Sequence, residues 1–233
     1  MATFNKNVFS STYRDDYADS DNYYRVLFNA GKSLQARELT QLQTIIQGEI
    51  SRFGYNIFKD GSAVNPGGPT LNSAYEFVKL NTSSNVLPAD TSTLIDAVFT
   101  GGTSTVQFKV LQVVVATGSD PDTIYGKYVS TSGGTAGANP VRLTPGETIT
   151  SGAITLTVQT TNTTANPAVG TGVQISNAKG DFFVLGRFVF VAGQSILLSK
   201  YTNTVSAANV GFKVTQDIVT ESNSDKLYDN TGS

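Results

Sequence analysis

Four aspartates crowd into residues 15–21, at Asp15, Asp16, Asp19 and Asp21, the densest set of hard oxygen ligands in the chain. An EF-hand calcium loop needs oxygen ligands at alternating positions, a glycine at its sixth position and a glutamate at its twelfth. Counted from Asp19, the third position is Asp21, but the sixth is Tyr24 and the twelfth is Ala30. The cluster therefore reads as a solvated acidic loop, with weak cation binding as the alternative. A second candidate pair, Arg37 and Glu38, carries the only charges between Lys32 and Glu49. Neither has a nucleophile or partner carboxylate beside it in sequence. Two readings stand for the pair: ordinary helix-surface charge, or a contact that fixes register between packed helices. The remaining acids of the middle region, among them Glu76, Asp96, Asp122 and Glu147, are scattered without a motif. A glycosidase pair forms only in the fold, and no tryptophan is present to stack on a sugar. The chain also has no histidine and no cysteine, which excludes a His–Cys zinc site, a Ser-His-Asp triad, a thiol nucleophile and a disulfide. Acid–base work at neutral pH would need a strongly shifted carboxylate or lysine. The expectation is a protein that is not an enzyme and binds no cofactor or metal.

Net charge narrows the partners. With 16 basic and 18 acidic residues in 233, the formal charge is −2, and no basic face marks a nucleic-acid binder. Met1 to Asp21 lacks the apolar core of a signal peptide. The longest uncharged apolar stretch, Phe188 to Leu198, is about half the ~20 residues that span a bilayer. Neither nucleic acid nor membrane is expected as a partner.

The elements that would position these residues follow from periodicity. From Ser33 to Phe53, Leu39, Leu42, Ile46, Ile50 and Phe53 recur at helical spacing, Ile45 widens the stripe, and Gln35, Gln41, Gln43 and Gln47 occupy the other positions. Ser33 is placed to cap this helix and Gly54 to end it in the left-handed conformation. Tyr55 to Phe58 then reads as a strand turning at Asp60-Gly61. Beyond it the charges thin out. Between residues 61 and 178 the basic residues are Lys79, Lys109, Lys127 and Arg142, in a background dense in Thr and Gly. Val106, Phe108 and Val110 alternate with Gln107 and Lys109, and Ile154, Leu156 and Val158 with Thr155 and Thr157, which is strand period. The predicted fold class is α+β: mainly β with one long N-terminal helix, and a short-strand sandwich or barrel-like β insertion. Residues 1–97 form the N-terminal region with the helix, 98–170 the Thr/Gly-rich insertion and 171–233 a returning β region with a polar tail. Strands are expected near 106–115, 153–159, 182–191 and 210–219.

Two stretches carry a family resemblance. Asn22-Tyr23-Tyr24-Arg25-Val26-Leu27-Phe28-Asn29-Ala30-Gly31, Leu34-Gln35-Ala36-Arg37-Glu38-Leu39-Thr40-Gln41-Leu42-Gln43, Arg52-Phe53-Gly54 and Phe58-Lys59-Asp60-Gly61-Ser62 form the first. Gly180-Asp181-Phe182-Phe183-Val184, Gly186-Arg187-Phe188-Val189, Lys200-Tyr201-Thr202-Asn203 and Leu227-Tyr228-Asp229-Asn230 form the second. Together they resemble the N-terminal domain, of unknown function, of a family of virion structural proteins from contractile-tailed phages. The resemblance implies a baseplate or tail-fibre protein that anchors fibres, works in the virion after assembly in the host cytoplasm, and contacts other baseplate or fibre proteins. It names no reaction. In such proteins the chain continues past the Leu-Tyr-Asp-Asn stretch, so 1–233 corresponds either to a short version or to the particle-anchoring part. A carbohydrate-binding or depolymerising receptor-recognition domain, and a capsid decoration or head–tail connector protein, are the alternatives.

The same reading makes the helix an assembly surface. Phage fibres and adaptors are commonly trimers, so a homotrimer joined through Leu39, Leu42, Ile46, Ile50 and Phe53 is expected, with packing of the stripe on the chain's own sheet as the alternative. Arg37 and Glu38, among the amides of Gln35, Gln41 and Gln43, would then set the register between helices.

Overall fold

The computed structural model describes residues 15–81, 83, 87–130, 141–217, 219 and 222–227. They form one long helix, α1 (Ala36–Ile57), and eleven strands: β1 (Ser62–Ala63), β2 (Pro69–Lys79), β3 (Val98–Gly101), β4 (Gln107–Val114), β5 (Thr123–Ser130), β6 (Thr148–Ser151), β7 (Ile154–Thr157), β8 (Val169–Asn177), β9 (Gly180–Val184), β10 (Arg187–Val191) and β11 (Gln194–Ser199). The fold is mainly β with one long helix, and its two sheets are antiparallel. Two compact units share the chain. One comprises residues 1–65, 181–190 and 208–233, the other 66–180 and 191–207.

In the first unit α1 starts three residues later than Ser33. Gln35, extended at φ −97° and ψ 143°, takes the cap position, and Glu38 reaches back so that its Oε2 accepts the Gln35 N–H at 3.0 Å. The helix also runs through Gly54, and Tyr55 to Ile57 are its last turn rather than a strand. Phe183 of β9 supplies the reason. A Cβ on Gly54 would lie 2.2 Å from the Phe183 ring, so the missing side chain lets a buried aromatic rest on the helix backbone. Tyr55, Phe58 and Phe188 pack around that ring at centroid distances of 5.0, 5.8 and 5.3 Å. The Asp60-Gly61 turn does form, joining the helix to the short β1 that pairs with β9. β9 and β10 make a hairpin through Leu185 and Gly186, both at positive φ, the signature of a type I′ turn. Asp60 Oδ1 accepts the Leu185 N–H at 2.6 Å and holds that non-glycine residue in place.

The second unit is an eight-stranded sheet in the order β11-β8-β2-β5-β4-β3-β6-β7. Its strands at 107–114 and 154–157 fall where alternation places them, and Val106, Phe108, Val110, Leu156 and Val158 are buried. The strands of the 98–170 span do not close on themselves, because β5 pairs with β2 through Glu76–Gly126 to Lys79–Thr123. The sheet instead curls until its far end meets β2: Gln159 N–H donates to the Lys79 carbonyl at 2.8 Å and Asn81 N–H to the Thr157 carbonyl at 2.9 Å. That single Leu80–Val158 bridge stops short of a closed barrel. Inside the curl lies a core that includes Leu80, Leu94, Phe99, Phe108, Ile124 and Ile149.

The strand expected at 210–219 is absent from the described part of that span. Val210, Phe212 and Val214 keep their period-2 spacing, yet among the described residues no strand pairs with the segment, and each of the three stays about half exposed. Phe212 instead sets its ring edge against Phe182 at 5.6 Å. Alternation specifies a pleated face, but a strand also needs a neighbouring backbone to take its hydrogen bonds.

Candidate functional site

At about 100° per residue, the side chains of α1 sort into three faces. The first, with Arg37, Gln41, Thr44, Ile45 and Arg52, lies under residues 15–19. Arg37 Nη1 donates to Asp16 Oδ2 at 3.2 Å, Gln41 Nε2 donates to the other oxygen of Asp16, and Thr44 Oγ1 donates to Asp15 Oδ2. Arg52 pairs with Glu49 and reaches Asp19 at 3.9 Å. Asp15 and Tyr17 are buried, as is Ile45 beneath this strap. The acidic cluster is therefore divided: Asp15 is buried, while Asp16, Asp19 and Asp21 stay exposed, as in a solvated loop. Its first two members are a clasp on the helix, and among the described residues no group of three or more potential metal ligands is arranged to hold an ion. The second face, Ser51, Gly54 and Tyr55, meets Phe183 and Gly186.

The third face carries Leu39, Leu42, Ile46, Ile50, Phe53 and Ile57, turned away from both sets of contacts. Leu42 is partly covered; the other five range from 44% exposed at Leu39 to 64% at Phe53. Their uncovered apolar surface is on the order of 500 Å², near the upper end for a chain that stays alone. Among the described residues, the unit's own sheet does not cover it. In the Tyr23–Leu34 segment that precedes the helix, Tyr24, Leu27 and Phe28 are also exposed. Tyr24 and Arg25 join Ile45, Ile46, Glu49 and Ile50 around a shallow depression of about 430 Å³.

The predicted assembly residues are thus divided. Leu39, Leu42, Ile46, Ile50 and Phe53 share the open face, with Gln43 at its margin. Arg37 and Gln41 lie on the strap face, and Gln35 caps the helix. Arg37 and Glu38 do not meet each other within the chain: one binds Asp16, the other the Gln35 N–H. Sequence reasoning had no access to these partners, since Asp16 is 21 residues from Arg37.

Other polar side chains that sequence left without context have partners within the chain. Glu147 is buried and gathers the N–H groups of Thr103, Ser104 and Thr144 and the Ser104 hydroxyl at 2.5–3.0 Å. Glu76 receives both Nε and Nη2 of Arg142 at 2.8 and 3.0 Å, a fork-to-fork pair. Lys79 is buried, with Nζ donating to Asn166 Oδ1 at 2.6 Å and lying 3.8 Å from the centre of the Tyr201 ring. Burial pushes its ammonium below the usual lysine range, against the raising effect of Asp120. The donors and acceptors around these groups come from the chain itself. The geometry offers a clamp for turns and strand ends.

Residues 11–161, well over half of the chain, match the family described as a domain of unknown function, DUF4815. The chain belongs to this family. The DUF4815 match takes in the strap from residue 15, the whole of α1 and the strands through β7, and it ends before β8. Both the clasped face and the open face of the helix therefore lie inside the DUF4815 region. No curated protein and no solved structure matches the chain. Among the described residues, no helix is long and apolar enough to cross a membrane.

Proposed function

We propose that this chain is a non-enzymatic structural protein of a phage virion, a baseplate or tail-fibre component, and that the open face of α1 joins it to further copies of itself as a homotrimer. The observation that carries the assembly half is the position of the stripe: it lies on the side of the helix that neither the 15–19 strap nor β9 and β10 covers. Burying six such side chains offers roughly 1 kcal/mol or more each, enough to hold copies together once the cost of association is met. The placement half is supported by the Leu34–Gln43 and Phe58–Ser62 motifs and their resemblance to phage tail proteins. Other tail proteins are the expected neighbours.

Virions labelled with an antibody to this chain and imaged test the placement. Label at the baseplate or along the fibres is the expected result. Label at the head or neck would replace the reading with a decoration or connector protein, and turnover of capsule polysaccharide by the purified chain would overturn the non-enzymatic assignment.

A further inference from the structure

The open face of α1 has a period of its own. Leu39 and Ile50, Leu42 and Phe53, and Ile46 and Ile57 are each eleven residues apart, so the stripe follows a 3-4-4 spacing rather than the 3-4 spacing of a heptad. Eleven residues over three turns is about 3.67 per turn, so the stripe runs almost along the axis and drifts slightly in the right-handed sense. In a heptad frame Glu49 and Asn56 would enter the seam; in the eleven-residue frame neither does, and every seam position is apolar. The margins of the stripe are also unlike each other. Glu38 and Glu49, again eleven apart, flank one side, while Gln43 and Gln47 flank the other. Both glutamines and Glu49 are exposed, and Glu38 is partly so.

From these two observations we infer that α1 packs against copies of itself in parallel and in register, with the eleven-residue period setting a straight to right-handed bundle. The margins decide the orientation. Parallel helices around a closed ring bring the acidic margin of one against the amide margin of the next, where Gln43 and Gln47 donate N–H groups to carboxylates. Antiparallel helices with Leu39 opposite Ile57 bring like margins together and set Glu49 of one copy within about two residues of Glu49 of the other, a like-charge approach that the parallel arrangement avoids. The occupant of the open face is therefore a second copy of the same helix with the same polarity. This inference rests on the proposed self-assembly and adds its direction and register.

The absence of cysteine makes the test direct. Leu39→Cys and Ile57→Cys sit at opposite ends of the stripe, both at half-exposed positions, and far-ultraviolet circular dichroism checks that each variant keeps its fold. On mild oxidation each variant alone is expected to form a disulfide dimer with itself, with one thiol per trimer left to react with a maleimide. A mixture of the two variants is expected to give little cross-species product. Cross-linking only in the mixture means antiparallel helices and overturns the inference while leaving self-assembly intact. Monomeric mass in native mass spectrometry together with no cross-link overturns both. Because these readings are made in solution, they are independent of where the antibody label falls on the virion.

Discussion

Gly54 and Gly48 occupy the same helix, and the structure gives them opposite consequences. A methyl group at Gly54 would meet Phe183 at 2.2 Å, and that ring is hemmed in by Tyr55, Phe58 and Phe188. Gly54→Ala should therefore lose about 1–3 kcal/mol to overpacking, despite a gain of up to about 1 kcal/mol in helix propensity. Nothing lies within 4 Å of a Cβ at Gly48, so Gly48→Ala should gain about 0.5–1 kcal/mol. Urea denaturation of the two variants checks both signs. If Gly54→Ala raises the midpoint, Phe183 does not pack as described. The charges at 37 and 38 also part company at this scale. Arg37→Glu sets a like charge against Asp16 and should loosen the 15–19 strap, at a cost of no more than about 1 kcal/mol for so exposed a pair. Faster proteolysis near the strap with unchanged oligomer mass is the expected result. A fall in mass would place Arg37 in the interface after all.

For the helix as an element, the difference between a clasped face and an open face turns the stripe into a decidable question. Ile46 is 51% exposed in the single chain, so Ile46→Asp leaves no carboxylate stranded in that chain's own core. In the assembly the same carboxylate would be buried without a partner, costing several kcal/mol. The variant should therefore sediment as a folded monomer where the parent, in the proposed assembly, is expected to sediment as a trimer. Loss of the helical signal instead would mean that the stripe is packed within the chain. The segment after residue 207 makes the complementary point about strands. Its Val210, Phe212 and Val214 have the right period, yet without a partner edge among the described residues the backbone of 210–217 forms no ladder.

On the scale of the molecule, buried phenols in the second unit set its response to alkali. Burial pushes the hydroxyls of Tyr75, Tyr125, Tyr128 and Tyr201 above their ordinary value of 10.0. Folded, these groups hold their protons at a pH where the unfolded chain releases them. Their contribution is fully present below pH 10 and is lost as pH rises beyond it. Lys79 acts in the other direction. Its folded value lies below the lysine value of 10.5, so the unfolded chain binds that proton more tightly and stability rises with pH up to that point. Four tyrosines outweigh one lysine. The thermal midpoint should therefore fall steeply above pH 10, and Tyr128→Phe, which removes one of these phenols, should flatten the fall. A midpoint that stays level to pH 11 would contradict the burial of these hydroxyls.

Periodicity alone was enough to determine an α+β chain with one long helix, its apolar stripe, and strands at β4 and β7, whereas the strand expected at 182–191 is broken by the Leu185-Gly186 turn into β9 and β10. Each of those rests on backbone geometry within a few residues: 3.6 per turn in a helix, two per pleat in a strand. What the tertiary structure decided depends on residues far apart in the chain. Gly54 looked like a helix end because glycine commonly is one, and only the arrival of Phe183 shows why it sits inside. The 98–170 strands looked self-sufficient until β2 took one edge of β5 and met the far end of the sheet. Arg37 beside Glu38 suggested a pair, whereas the fold set Asp16 against the arginine and the helix N-terminus against the glutamate. The stripe itself was legible in the spacing of Leu39 to Phe53, but its exposure was not. Spacing says which residues share a face, and only the packed chain says whether anything covers it.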